Sequence, residues 1–308
     1  MKRNILLSLC IPTYNRSGVL SQTLECLVRD PAFDEEVEII VSDNCSTDDT
    51  EMQVRRIAST HPGIKYFRNE KNVVDQNFYL ALSRGSGLYL KLMNDYAYFK
   101  SGGMEGMKEH IRRYHGQGVN LFFYSKLRSP YHSTPEVHLA DVDSFVRAVN
   151  NRAVWNVNFG VWRENFPELI TSEEVATRKV PQLEWSLQEA ALRPTVLINF
   201  RLYDQIDVPG KKMDYLFYVP HVVNYYKAFE PYVEKGLISQ ATLRYDKYRI
   251  LSHYVGSRIV EYLYLKKEVS FDKAEAWKVL DGYFSDIPYY RYLKLKGWFL
   301  HLLPWKRK

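Results

Sequence analysis

The sequence predicts an α/β fold in which a mostly parallel sheet is flanked by helices, followed by a helical, aromatic-rich C-terminal extension. Over the first hundred residues, short apolar runs that read as buried strands alternate with stretches whose apolar positions recur at helical spacing. That alternation argues for parallel strands covered on both faces. Beyond about residue 240 the pattern turns helical, and many of the aromatic residues, 15% of the chain, lie between Tyr203 and Trp305.

Residues 5–11 form the first apolar run, which stops at Pro12 as a buried strand entering a loop does. Leu20, Thr23, Leu24 and Leu27 then recur at helical spacing. A second strand spans 37–41, and Ser46-Thr47-Asp48-Asp49 resembles a Ser-x-x-Asp capping box opening a helix that runs to about Ser59. Residues 64–67 read as a third strand, 77–82 as part of a third helix and 88–93 as a fourth strand. A helix over 103–115, a strand over 121–125, a turn-rich loop over 129–135 and a strand over 195–202 follow. A boundary near 235 divides a domain of residues 1–235 from an extension of residues 236–308; neither contains repeats or low-complexity segments.

A chain of 308 residues buries a sizeable core. The apolar opening run is cut short by Pro12 and lacks a small-residue cleavage site, so no signal peptide is expected. No run approaches the roughly 18 to 20 apolar residues needed to cross a bilayer. The expected location is therefore the cytoplasm, or the inner face of its membrane. Cys10, Cys26 and Cys45 match neither a disulfide framework nor a zinc site and read as reduced bystanders. The net charge of +6 is matched by the tail alone, since Arg291, Lys294, Lys296, Lys306, Arg307 and Lys308 occur there without an acid. His-Glu-x-x-His, Cys-x-x-Cys and Gly-x-Ser-x-Gly are all missing, which removes zinc hydrolase and serine hydrolase readings.

In a parallel sheet, ligands bind outside the carboxyl ends of the strands. Three polar clusters fall there: Thr13-Tyr14-Asn15-Arg16, Asp43-Asn44-Cys45-Ser46 and Asn94-Asp95. The run Leu9-Cys10-Ile11-Pro12-Thr13-Tyr14-Asn15-Arg16, with Val41-Ser42-Asp43-Asn44-Cys45-Ser46-Thr47-Asp48 about thirty residues later, resembles the opening of family 2 glycosyltransferases. That resemblance implies a GT-A fold, Rossmann-like, with a nucleotide-sugar half in 1–100 and an acceptor half in 101–235. Pro12 is expected to turn the chain out of the strand and present the backbone of Thr13 and Tyr14 to a base or ribose. Asp43 is expected to accept hydrogen bonds from the nucleoside. Taken by themselves, residues 46–49 also fit a simple helix cap.

The resemblance further implies that Asn72 and Asn77 line the donor pocket, although Asn72 equally fits a loop asparagine capping a helix. Gly85-Ser86-Gly87 precedes a strand, whereas a dinucleotide fingerprint follows one. The expected nucleotide-sugar site thus comprises Pro12, Thr13, Tyr14, Asn15, Arg16, Asp43, Asn44, Asn72, Asn77, Asn94 and Asp95. The family carries Asp-x-Asp at the fourth strand to hold Mg²⁺ or Mn²⁺ against the diphosphate. Here Asp95 matches the first aspartate and Ala97 takes the place of the second. A hard cation prefers several oxygen ligands. Either the diphosphate and other residues complete the set, or Arg84 or Lys91 neutralises the leaving group, or transfer is lost. His221 stands where some members place a late metal ligand, so Asp95 and His221 are the metal candidates.

Family 2 enzymes invert configuration in one displacement, with a carboxylate taking the acceptor proton. The expected base is Glu184, behind Pro181, followed by Glu173 and Glu174. Trp155, Trp162 and Trp185 offer an apolar platform for a sugar ring, though tryptophan is also common in cores. The tail over 289–308 mixes aromatic, apolar and basic residues as an interfacial helix does, and it is expected on an anionic membrane rather than on nucleic acid, for which no motif accompanies it. The sequence therefore predicts an inverting glycosyltransferase. Its donor is a nucleoside diphosphate sugar, UDP-linked, and its acceptor a glycan or lipid-linked glycan in surface polysaccharide synthesis. The alternative is a non-catalytic nucleotide-binding partner of a membrane-associated glycan assembly complex.

Overall fold

The computed structural model describes residues 4–124, 134–171, 179–199, 202–208, 216–265 and 268–302. Its contacts divide the chain into two compact units, the first comprising residues 1–141, 153–177 and 181–209 and the second 142–152, 178–180 and 210–308.

The first unit is built on β1 (Leu7–Thr13), α1 (Ser17–Val28), β2 (Val37–Asp43), α2 (Thr50–Ala58), β3 (Ile64–Arg68), α3 (Gln76–Ser83) and β4 (Tyr89–Leu92). Its main sheet has the order β3-β2-β1-β4-β8, in which β8 (Gly160–Trp162) runs antiparallel to β4 and the other pairs are parallel. All seven residues of β1 and all seven of β2 are buried, as expected when helices cover both faces. Alternation sorts them. Leu9, Ile11, Ile39 and Val41 join Leu20, Leu24 and Leu27 of α1 and Val54 and Ile57 of α2 in one cluster. Cys10, Ile40, Leu90 and Leu92 point the other way, onto Ala81 and Leu82 of α3 and onto Trp185.

Further along lie β5 (Ala97–Phe99), α4 (Gly103–Tyr114), β6 (Asn120–Tyr124), β7 (Glu136–Leu139), α5 (Val142–Val149), α6 (Pro181–Leu192), β9 (Thr195–Asn199) and β10 (Tyr203–Gln205). β6, β9 and β7 make a three-stranded sheet, in which β6 and β9 fall at the strands expected over 121–125 and 195–202, and β5 pairs with β10; β5, β7 and β10 are short strands that the sequence pattern does not announce. Gly87 is fixed by close approach, because a Cβ there would lie 2.8 Å from the Ser8 amide nitrogen.

Two local expectations change. Pro12 does not end β1, which continues to Thr13 and pairs Pro12 with Ser42 and Thr13 with Asp43. Pairing with β4 has already stopped at Cys10, so the N–H that proline lacks is not needed on that side. The capping box is also not formed. Asp49 stands at the N-cap of α2 without a side-chain bond, while Asp48 Oδ1 accepts from the Thr50 amide at 3.1 Å and the Thr50 hydroxyl at 2.5 Å.

The second unit is helical, containing α5, α7 (Gln240–Ile250), α8 (Lys273–Phe284) and α9 (Pro288–Leu302). Asp143 at the start of α5 accepts from the Ser239 amide at 2.7 Å and the Thr242 hydroxyl at 2.8 Å, which ties it to the capped start of α7. Asp246 is buried and accepts from the Tyr225 and Tyr226 hydroxyls and the Asn150 side-chain amide. Burial pushes its pKa up to about 7. α9 buries Tyr290 and Leu293 but exposes Tyr292, Leu295, Trp298 and Phe299. Among the described residues, no helix is long and apolar enough to cross a membrane.

Candidate active site

Hydrogen bonds join the turns leaving β1, β2 and β4 at their carboxyl ends. Asn15 adopts φ 50°, a left-handed conformation that asparagine tolerates better than most residues. There its amide donates to Ser46 Oγ at 2.9 Å and its Oδ1 accepts from the Thr47 amide at 2.7 Å. The Ser17 amide donates to Asp48 Oδ2 at 3.0 Å, and the Asn44 amide to the Thr13 carbonyl at 2.9 Å. The first turn is thereby fastened to the second along its whole length. Tyr14, 44% exposed, projects from this rim.

The opposite side of the same turn meets β4. Asp95 accepts from the Thr13 hydroxyl at 3.0 Å through Oδ2 and from Arg16 Nη1 at 2.9 Å through Oδ1, while its carbonyl accepts from the Thr23 hydroxyl of α1 at 2.9 Å. Desolvation raises its pKa, opposed by the Arg16 charge and by the Thr13 hydroxyl. Beside it, Asn94 Oδ1 is buried without a hydrogen-bond partner. An acceptor buried without a partner is costly, and it marks a position suited to a ligand donor.

Asp43 has a different immediate task from the one expected. Its carboxylate is fully buried and filled from within: Oδ1 accepts from the Ser46 amide (2.9 Å) and hydroxyl (2.5 Å), and Oδ2 from the Tyr66 hydroxyl (2.6 Å) and Arg68 Nη1 (3.3 Å). It shapes the second turn rather than facing an open crevice. Tyr66 and Arg68 of β3, which the motif reading leaves out, complete this arrangement. Their position at the end of the third strand is the signal that they border the same rim.

The asparagines behave likewise. Asn44 accepts from Asn69 Nδ2 and the Val73 amide and donates to Asn72 Oδ1 and the Val74 carbonyl, pinning the loop over 69–77. Asn77 is buried, accepting from the Ser42 hydroxyl and Asn69 Nδ2 while donating to the Ser42 carbonyl. Asn72 and Asn77 thus serve as struts of the second turn. Arg84 donates to the Ser42 hydroxyl and Asn69 Oδ1 behind these struts. Lys91 is fully buried, donates to the Phe159 carbonyl at 2.7 Å, and burial pulls its pKa well down. Both cations, one of the alternatives open for neutralising a leaving group, are thus engaged by acceptors of the protein itself.

Glu184 is buried in the first turn of α6. Gln182 Nε2 donates to the Val154 carbonyl, and the Trp185 ring lies 5.4 Å from Phe159, whose carbonyl accepts from the Leu92 amide at the end of β4. The start of α6 therefore lies at the same end of the sheet as Asn94 and Asp95. Glu173 and Glu174 lie outside the described residues. Of the two uses open to the tryptophans, Trp162 and Trp185 take the core one, and their indole N–H groups donate to the Val119 and Ile170 carbonyls. Trp155 is half-buried, edge-on to Tyr203.

The residues present do not fit a protein-held divalent cation. Asp95 has both oxygens engaged, Ala97 is buried in β5, and among the described residues no three His, Cys, Asp or Glu side chains gather as a metal would require. His221 belongs to the second unit, where Nε2 is paired with the Tyr254 hydroxyl at 3.0 Å and Nδ1 is buried without a partner. Burial and the nearby Arg258 hold its pKa down to about 4.

Comparison with known proteins places this geometry. The family model described as "Glycosyl transferase family 2" matches residues 8–162. Abequosyltransferase RfbV of Salmonella typhimurium is 41% identical over 88 residues, 28% of this chain and 26% of that protein. The chain therefore aligns with only about a quarter of this curated relative. The crystal structure of S. aureus TarS 1-349 in complex with UDP-GlcNAc superposes with a TM-score of 0.61 at 15% identity, covering 85% of this chain and 77% of that one. Mannosyltransferase PcManGT from Pyrobaculum calidifontis, in complex with GDP-Man and Mn²⁺, gives 0.55 at 12% identity over 99% of this chain and 89% of that one. The fold is the GT-A arrangement expected from the sequence.

Proposed function

The chain belongs to glycosyl transferase family 2, and from that premise we propose that it is an inverting glycosyltransferase. It takes a sugar from a nucleoside diphosphate donor, UDP-linked, and passes it to a glycan or lipid-linked glycan acceptor in surface polysaccharide synthesis. One observation supports this reading above the rest: the turns leaving β1, β2 and β4 are bonded into one rim, on which Arg16, Asn94 and Asp95 adjoin Thr13 and Tyr14. In this reading residues 1–100 hold the donor, 101–235 the acceptor, and 236–308 form an extension. Thr13 to Asn15 receive the nucleoside and Arg16 the diphosphate. Glu184 takes the proton from the acceptor hydroxyl as its oxygen attacks the anomeric carbon, and the bond to the diphosphate breaks on the opposite face.

The exposed apolar side chains of α9, set among Arg291, Lys294 and Lys296, are proposed to rest on anionic lipid, where a lipid-linked acceptor is found. Ala97 in β5 favours a second reading, a nucleotide-binding partner without transfer activity. Transfer or hydrolysis of a panel of UDP- and GDP-linked sugars in the presence of anionic vesicles separates the two. Turnover with co-flotation supports the first, and nucleotide binding without turnover supports the second.

A further inference from the structure

The position that the family resemblance assigns to a cation is held here by a side chain. Arg16 Nη1 lies 2.9 Å from Asp95 Oδ1, and the guanidinium carbon lies 5.9 Å from the centre of the Tyr96 ring. Asp95 is 6% exposed, but the Arg16 side chain is 36% exposed and so reaches solvent at the rim. Among the described residues, its Nε and Nη2 donors carry no hydrogen bond. A guanidinium is always charged, and its planar fork suits phosphate oxygens two at a time. One edge bound to Asp95 fixes its direction and leaves the other edge for a ligand. A cation at Asp95 would have to displace this group, with no second carboxylate at Ala97 to compensate. The unpartnered Asn94 Oδ1 is left to accept from a donor hydroxyl.

We propose that Arg16 stands in for a divalent cation at Asp95, so that this protein binds its nucleoside diphosphate without a metal ion; the proposal rests on the nucleotide-sugar reading above. Asp95 is then a positioning residue for the guanidinium.

Calorimetric titration of the full chain with UDP, in EDTA and again in Mn²⁺, tests this directly. The wild type is expected to bind with the same Kd in both media, within about twofold. Arg16→Ala is expected to weaken UDP about ten- to a hundredfold, as loss of charged hydrogen bonds does, with Arg16→Lys in between. Uridine carries no phosphate, and ligand-observed NMR should show it binding wild type and Arg16→Ala alike. An equal loss of uridine would make Arg16 merely structural and overturn the proposal. Wild-type binding that appears only with Mn²⁺ would also overturn it, while leaving the nucleotide-sugar reading intact. Absence of UDP binding in either medium removes both.

Discussion

Glu184→Gln is expected to lower transfer by about two to four orders of magnitude, the usual contribution of a positioned general base, with UDP affinity unchanged within about twofold. Glutamine keeps the shape of the side chain but cannot accept a proton from the attacking hydroxyl. The loss should fall on kcat rather than KM, because the proton moves only in the transition state. α6 is fastened on either side of the substitution by Gln182 on the Val154 carbonyl and by Trp185 on the Ile170 carbonyl. Steady-state kinetics with a turned-over donor, beside calorimetry with UDP, makes the measurement. Wild-type kcat in Glu184→Gln would pass the role to Glu173 or Glu174.

Asp43→Ala is expected to destabilise the first unit by about 3 kcal/mol, read from the denaturation midpoint. The Ser46 amide and hydroxyl lose a buried acceptor, and the Tyr66 hydroxyl loses its partner at 2.6 Å. Arg68, 39% exposed, returns to water and contributes little to the loss. Asp43→Asn retains acceptor capacity on one oxygen and should lie between the two. Nucleotide binding falls with the turn, since Ser46 also holds the Asn15 amide. A fully stable Asp43→Ala protein would show that this network does not shape the rim.

Much of this was legible in the letters. The Pro-Thr-Tyr-Asn-Arg and Asp-Asn-Cys-Ser runs mark the turns, and the alternation of apolar runs gives four parallel strands in the positions they occupy. Side-chain direction was not legible. Lys91 sits in a strand where alternation turns it inward, and Trp162 and Trp185 look the same in sequence whether they line a groove or fill a core. The division of work between Asp43 and Asp95 depended on partners 23 to 79 residues away, Tyr66 and Arg68 for one and Arg16 for the other. Such pairing depends on register between strands, which no local pattern carries. Short strands such as β5, β8 and β10, three residues each, lie below the length at which periodicity is visible.

A crystal structure of the protein soaked with UDP addresses the whole proposal at once. The prediction is a nucleoside seated against residues 13–15, with diphosphate oxygens in hydrogen-bond reach of Arg16 while Arg16 stays on Asp95. Nucleotide found at another surface, with this rim empty, would contradict it.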